Sequence, residues 1–216
     1  GYDSFGDVIG ETEKLHHYIH DVVLPQSGAE QVRLCNISLG GTIGVNYLET
    51  YPQDNFLIKR MLFVIPAIDG SDIIGDILTD NLSIVHDDEM LYSKFLPSLL
   101  GQTPLAYLLN MVLRILPKDV LKSALSGLAK GVVDAGIRST TIIWALCPTD
   151  YYEEAREIWL ADEEYALIRE KVDYYMQARA NFEANQNNIR SLGGQLYDIV
   201  CYDLPMMIPL TEEYKT

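Results

Sequence analysis

The chain has 216 residues, and 48% of them are hydrophobic, which is enough to bury one sizeable core and excludes disordered and fibrous classes. Sixteen Lys and Arg residues against 31 Asp and Glu residues leave a formal net charge of −15. Because phosphate groups repel so acidic a chain, we expect neither nucleic acid nor an anionic membrane as a partner. A neutral or cationic ligand and an uncharged lipid surface remain open.

The sequence shows no recognisable targeting or transmembrane segment. Residues 1–7 lack the basic and apolar regions of a signal peptide. The apolar stretch from Phe95 to Leu116 is interrupted by Pro, Gly, Gln, Asn and Arg, so it contains no run of about 18 apolar residues. The cysteines, Cys35, Cys147 and Cys201, lie far apart in apolar runs, which favours buried thiols over disulfides or a zinc cluster. We expect a reducing, cytoplasmic compartment.

Helical and β-type patterns alternate over residues 1–69. Apolar spacing predicts a short helix over residues 11–24, and a compact β-type run over residues 31–37 predicts a strand. A Ser-Leu-Gly-Gly turn and a helical pattern through residues 43–48 follow. Residues 58–68 predict a second strand that is buried on both faces, as parallel strands usually are. This alternation indicates an α/β protein with part of a doubly wound sheet.

The segment from residue 70 to residue 192 is predicted to be a large, all-helical insertion, because it is rich in Leu and Ala and has no convincing strand. The helices expected within it, the first two buried or partly buried and the others amphipathic, span residues 105–116, 120–133, 151–160 and 163–189. Its large aromatic residues could line a lipid groove, but packing between helices is the favoured interpretation. Residues 193–216 return to β-type sequence, which makes a sheet of about three parallel strands.

The strongest candidate for chemistry is the turn between the first predicted strand and the following helix. A serine on so sharp a turn projects its hydroxyl above the sheet edge, and the N–H of the next residue can bind an oxyanion. Ser38 is therefore the candidate nucleophile, and the Leu39 N–H is the candidate oxyanion donor. Gly40 and Gly41 provide the small residues after the serine, whereas Asn36 is expected to crowd the turn. The alternative is an ordinary Ser-Gly turn.

A family resemblance is visible in residues 32–41, Val-Arg-Leu-Cys-Asn-Ile-Ser-Leu-Gly-Gly, with Tyr47-Leu48-Glu49 and Tyr51-Pro52 after them. They resemble the nucleophile elbow and following helix of α/β-hydrolase lipases. More narrowly, they are similar to the lecithin:cholesterol acyltransferase and phospholipid:diacylglycerol acyltransferase group and its bacterial relatives. Supporting segments in the family's order are Tyr2-Asp3, Pro66 to Ser71, and Tyr197 to Pro205.

The resemblance implies an α/β-hydrolase core in residues 1–69 and 193–216, a lid in residues 70–192, and an apolar acyl ester or lipid as substrate. It also implies a Ser-Asp-His triad whose acid and base follow the last predicted strand. No histidine follows His86 in this sequence. We therefore expect the triad Asp and His outside this chain, in remaining parts of the same polypeptide, and the segment alone to be inactive.

Substitutes for the missing triad members are weaker candidates. His86 lies in the insertion beside two carboxylates, and a surface or lid histidine is the favoured interpretation. Asp69 and Asp203 follow predicted strands and could orient a histidine, but aspartates that cap turns or helices are more common there.

Three histidines in the first predicted helix could also bind a metal ion. His16 and His20 are four residues apart, and Glu13 shares their face. That face is opposite the apolar positions of the helix, so we expect His16, His17 and His20 to point to solvent. Neither an H-E-x-x-H pattern nor a nearby cysteine supports a site. We expect no metal and no cofactor.

Three functions of different classes follow from these observations. The first is a segment of a serine hydrolase, either a lipase, an esterase or an acyltransferase, that passes an acyl group through Ser38 to water or to an alcohol. The second is a non-catalytic binding module of hydrolase ancestry, for which Asn36 and the missing base are the arguments. The third is an acidic helical assembly component, which requires that no strand, turn and helix surround Ser38.

Overall fold

The computed structural model describes residues 1–81, 87–88, 90–95 and 104–200. The protein is a mixed α/β structure that is 68% helical and contains a three-stranded parallel sheet. The predicted α/β class, with about three parallel strands and a large helical part, is thereby confirmed. His86 and Asp203 lie outside the described residues.

Helices and strands alternate in the first third of the chain, as predicted. The elements there are α1 (Val8–His17), a π-helical segment (Tyr18–Val23), α2 (Leu24–Ser27), β1 (Val32–Ile37), α3 (Gly40–Thr50), a 3₁₀ segment (Pro52–Leu57) and β2 (Ile58–Val64). Strand β2 ends earlier than predicted because Ile65 adopts a positive φ of 47°, which turns the chain out of the extended conformation.

The described residues between 70 and 192 form helices and no strand, which agrees with the helical character predicted for this segment. The elements are α4 (Asp72–Thr79), a π-helical segment (Met90–Phe95), α5 (Pro104–Ile115), α6 (Lys118–Val132), a second π-helical segment (Val133–Ile137), α7 (Thr141–Trp144), α8 (Thr149–Trp159), a 3₁₀ segment (Glu163–Tyr165), α9 (Ala166–Ala180) and α10 (Phe182–Ser191). The single helix predicted over residues 163–189 is divided at Asn181. Strand β3 (Gln195–Ile199) then returns to the sheet.

The three strands lie side by side in the order β1, β2, β3, with Asn36 opposite Phe63 and Val64 opposite Ile199. Helices α1, α3, α9 and α10 contribute to one core on one face of this sheet. The largest side chains of that core include Tyr47, Met61, Phe63 and Tyr175. This core lies between the sheet and α3, and the turn at Ser38 joins the two.

The opposite face of the sheet is not covered by the described residues. Ile37, Tyr197 and Ile199 are 59%, 49% and 48% exposed there. The prediction that β2 is buried on both faces is wrong for the part of the chain that the structure describes, because the described helices pack on the sheet from one side. Cys35 is also exposed on this open face, against the prediction of a buried thiol.

The helical segment has a second core of its own, which contains Leu78, Trp144, Tyr152, Trp159 and Val172. The aromatic residues of this core therefore pack between helices, which is the interpretation favoured by the sequence analysis. Cys147 belongs to the same core, and burial raises the pKa of its thiol to about 12.

Helices α5 and α6 are mostly exposed, although the sequence predicts that they are buried or partly buried. Leu105 and Ile115 of α5 are 74% and 83% exposed. A small cluster of Leu91, Tyr92 and Leu121 buries one edge of the pair. The apolar residues of α5 are too short a run to span a bilayer, and no described helix is both long and apolar enough to do so.

Candidate active site

Ser38 lies on a strained turn between β1 and α3. Its φ of +51° is uncommon for a residue other than glycine and costs on the order of 1–3 kcal/mol. The Ser38 N–H donates to the Val64 carbonyl over 2.9 Å, while the Ser38 carbonyl accepts from the N–H groups of Gly41 (2.9 Å) and Ala67 (3.2 Å). The bonds with Val64 and Ala67 tie the turn to the end of β2 and the loop after it, and the bond with Gly41 joins it to the first turn of α3, which confirms the predicted strand, turn and helix.

The same hydrogen bonds orient the candidate oxyanion donor. The Ser38 carbonyl and the Leu39 N–H belong to one planar peptide group, so fixing the carbonyl also fixes the direction of the N–H on the opposite side. Leu39 is the N-cap residue of α3, where backbone N–H groups have no intrahelical acceptor and the helix dipole favours negative charge. The Leu39 N–H is therefore placed to bind an anionic oxygen.

The hydroxyl of Ser38 is accessible. The residue is exposed, and its Oγ forms no hydrogen bond with any other described residue. A ligand can therefore reach the oxygen without displacing an internal partner.

The close approach of strand and helix depends on Gly41 rather than Gly40. A methyl group added at Gly41 would lie 2.9 Å from Pro66 Cβ, whereas one added at Gly40 would lie 3.6 Å from the Tyr2 ring, an ordinary contact. Gly41 therefore allows the loop after β2 to pack directly on the first turn of α3.

The crowding expected from Asn36 is relieved by Gly44, a residue that the sequence analysis did not single out. Asn36 is buried, and its amide donates to the Leu62 carbonyl over 3.4 Å. A methyl group added at Gly44 would lie 2.6 Å from Asn36 Oδ1. The signal was present in the spacing, since Gly40 and Gly44 are four residues apart and lie on one face of α3.

The described residues bring no histidine to Ser38. His16 and His20 lie near Tyr51, at the far end of the 11-residue helix α3 and about 16 Å along its axis from the Ser38 turn. Asp69 is exposed in a bend five residues after β2. The location of the triad Asp and His outside this chain stays a prediction.

The prediction that His16 and His20 point to solvent holds only in part, because their side chains are partly exposed and contact Asp54, whereas His17 is exposed as expected. His16 Nδ1 and His20 Nε2 each lie 2.9 Å from Asp54 Oδ2. The 3₁₀ segment that follows α3 places this buried carboxylate against the first helix. Spacing along the helix could not reveal a partner that is 34 residues or more away in the chain.

Hydrogen bonding keeps Asp54 ionised. Burial by itself raises the pKa of this carboxyl group, but the hydrogen bonds from Tyr47 (2.7 Å), His20 and His16 outweigh it and lower the pKa. Burial, reinforced by the Asp54 carboxylate, also raises the pKa of Tyr47, so its hydroxyl remains a donor.

Comparison of the chain with protein-family models, with curated proteins and with solved structures returned no match. The fold and the site therefore define its class: an α/β protein with an exposed serine on a strained turn between a parallel strand and a helix N-terminus.

Proposed function

We propose that this protein is a segment of a serine hydrolase that acts on carboxylic esters, with Ser38 as the nucleophile. The observation that carries the proposal is the positive φ of Ser38, an exposed residue held at the end of a parallel strand by three backbone hydrogen bonds. Glycine would adopt this conformation without strain, so a chemical role for the hydroxyl explains why a serine occupies it.

In the proposed reaction, Ser38 Oγ attacks the ester carbonyl carbon while a general base takes its proton. The carbonyl oxygen becomes an oxyanion that the Leu39 N–H stabilises. The C–O bond to the alcohol then breaks, the alcohol leaves with the proton, and an acyl-serine remains. Water, or another alcohol, attacks this ester in the second half of the reaction and regenerates the Ser38 hydroxyl.

The base and its acid are proposed to come from other parts of the same polypeptide. The open face of the sheet supports this proposal, because parallel sheets are usually covered on both faces, and the face that carries Ile37 and Tyr197 is exposed and is apolar toward the strand ends. Further residues that cover this face would also lie at the strand ends near Ser38.

The substrate is proposed to be an apolar acyl ester presented at a lipid surface, with the exposed helices α5 and α6 of the segment 70–192 as a lid, since α9 and α10 of the same segment pack on the sheet. Leu105, Leu108, Val112 and Ile115 follow one face of α5 at helical spacing, and all four are exposed. An exposed apolar face of this size is typical of a docking surface.

The local charge also suits a lipid surface. Residues 104–132 contain four Lys or Arg residues and one Asp, which gives 4 − 1 = +3, although the whole chain carries −15. Two of these cations, Lys118 and Lys130, form ion pairs with Asp88 and Asp80, which lie outside this range. Basic residues beside an apolar helical face favour contact with anionic headgroups. The charge of the whole chain opposes contact with an anionic membrane, whereas the local charge of this helical pair favours it.

A serine-directed fluorophosphonate probe tests the proposal on the full-length protein. The probe is expected to label the wild type and to fail with Ser38→Ala. Ser27→Ala is the matched control, because Ser27 is also exposed and its hydroxyl donates to the Val23 carbonyl. Equal labelling of Ser38→Ala and wild type, or no labelling of the wild type, would contradict the proposal.

A non-catalytic lipid-binding module is the second candidate, and the lack of a described histidine near Ser38 favours it. It predicts that the full-length protein binds phospholipid vesicles, that no residue reacts with the probe, and that Ser38→Ala binds the vesicles as the wild type does.

A further inference from the structure

Three side chains of metal-ligating types meet at the end of α3 that lies farthest from Ser38. One ring nitrogen of His16, one of His20 and an Asp54 carboxylate oxygen all lie within 4.8 Å of one another. The serine chemistry proposed above uses none of these groups. Any function of the cluster is therefore independent of that proposal.

Three side chains contact one buried carboxylate oxygen at the centre of the cluster. Asp54 Oδ2 lies 2.9 Å from a ring nitrogen of each histidine and also accepts the Tyr47 hydroxyl over 2.7 Å. Two imidazoles that converge on one carboxylate oxygen present their nitrogen atoms toward the same small volume. Neutral imidazole nitrogen and carboxylate oxygen are the donors that Zn²⁺ and its neighbours in the first transition row bind.

The two nitrogen-to-oxygen distances are close to those between ligands of a tetrahedral ion. Zn²⁺ binds histidine nitrogen at about 2.0–2.1 Å and carboxylate oxygen at about 2.0–2.2 Å, so two ligands of one tetrahedron are about 3.3 Å apart. The observed nitrogen-to-oxygen separations of 2.9 Å would have to open by about 0.4 Å. Rotation of the two partly exposed imidazole rings can supply a change of this size without moving the helix.

The surroundings hold the ligands in place. The His16 ring stacks on the Tyr51 ring, with the centroids 3.9 Å apart and the planes 6° from parallel. The Tyr47 hydroxyl would remain bonded to the Asp54 carboxylate, the type of outer partner that orients a ligating carboxylate. His20 lies in the π-helical segment Tyr18–Val23, and short π-helical segments often occur at functional sites.

We propose that His16, His20 and Asp54 form a site for one Zn²⁺ or a similar divalent transition-metal ion. Asp54 provides a buried negative charge, and the histidine side chains, 22% and 36% exposed, leave a fourth position open to water or an external ligand. Two nitrogen ligands favour such an ion over Ca²⁺ and Mg²⁺, which prefer oxygen ligands.

The test uses the full-length protein after treatment with a chelator and gel filtration. Isothermal titration with Zn²⁺ is expected to show one site per chain, and Co²⁺ is expected to give the visible absorption bands of a four- or five-coordinate site. His16→Gln and His20→Gln should each lower the Zn²⁺ affinity at least about tenfold. Asp54→Asn should do the same, and the two histidine variants decide the result if that variant does not fold.

His17→Gln is the matched control. His17 lies on the same helix, is exposed, and has its own acidic neighbours, with Asp21 at 3.2 Å and Glu13 at 3.9 Å. The His17→Gln and Ser38→Ala variants should each bind Zn²⁺ with the affinity of the wild type. The proposal is overturned if the wild type fails to bind Zn²⁺ at micromolar concentrations, or if His17→Gln weakens binding as much as His20→Gln does.

Discussion

The contact between Asn36 and Gly44 predicts that the cost of a methyl group in α3 depends on a side chain in β1. In Gly44→Ala the new Cβ would lie 2.6 Å from Asn36 Oδ1 and 2.9 Å from both Asn36 Cγ and Met61 Cε. Met61 can move the end of its flexible side chain. Asn36 has a short side chain that is buried and bonded to the Leu62 carbonyl, so it must shift with the strand or lose that bond.

Two opposing effects set the magnitude. Overpacking of a core costs about 1–3 kcal/mol, and Gly→Ala inside a helix gains about 1 kcal/mol of intrinsic helix stability. Gly44→Ala should therefore lower the free energy of unfolding by up to about 2 kcal/mol. In an Asn36→Ala background the steric conflict with residue 36 is gone, and the same change should raise the free energy of unfolding by up to about 1 kcal/mol.

Urea denaturation of the wild type, both single variants and the double variant measures this coupling. The expected interaction free energy between the two substitutions is about 1–3 kcal/mol. The slope of the unfolding free energy against urea concentration should be the same for all four proteins. Additive effects, within about 0.5 kcal/mol, would refute the reasoning, because they would mean that Asn36 does not limit the space at Gly44.

Three further predictions concern other regions. Gly70→Ala should lower the free energy of unfolding by about 1–3 kcal/mol, because Gly70 has a φ of +89° and an added methyl group would lie 2.6 Å from a backbone carbonyl oxygen. Gly127 has open space around it, so Gly127→Ala should be neutral or stabilising. Urea denaturation measures both variants. Burial raises the pKa of Asp7, but its bonds to Lys171 and a threonine outweigh burial and lower it. The ionised Asp7 therefore contributes to stability above about pH 4, and this contribution is lost as the pH falls through the lower native pKa. In urea denaturation, the loss of unfolding free energy caused by Asp7→Asn at pH 7 should become smaller by pH 3. A loss that stays constant with pH would contradict this reasoning. Cys35 lies on the open sheet face, which further residues of the full-length protein are proposed to cover. In a full-length variant whose other cysteines are replaced by alanine, Cys35 should therefore resist modification by maleimide until the protein unfolds. Modification of the native protein as fast as in urea would argue against such a cover.

Local features of the sequence determined much of this protein. The period of apolar residues and the positions of glycine and serine specify β1, the turn at Ser38 and α3, because backbone conformation over a few residues depends mainly on neighbouring side chains. The same signals predicted β3 and the helical character of the long middle segment. They also identified Ser38 and Leu39 as the candidate site without any tertiary information.

Tertiary structure alone decided which apolar surfaces are covered and which distant side chains meet. Apolar spacing shows that a strand or helix can be buried, but not which partner covers it, so β2 and α5 proved more exposed than predicted. Packing also placed Gly44 against Asn36 and brought Asp54 to His16 and His20. These contacts join residues that are separate in the chain, and folding brings them together through the cores that the sheet and helices share.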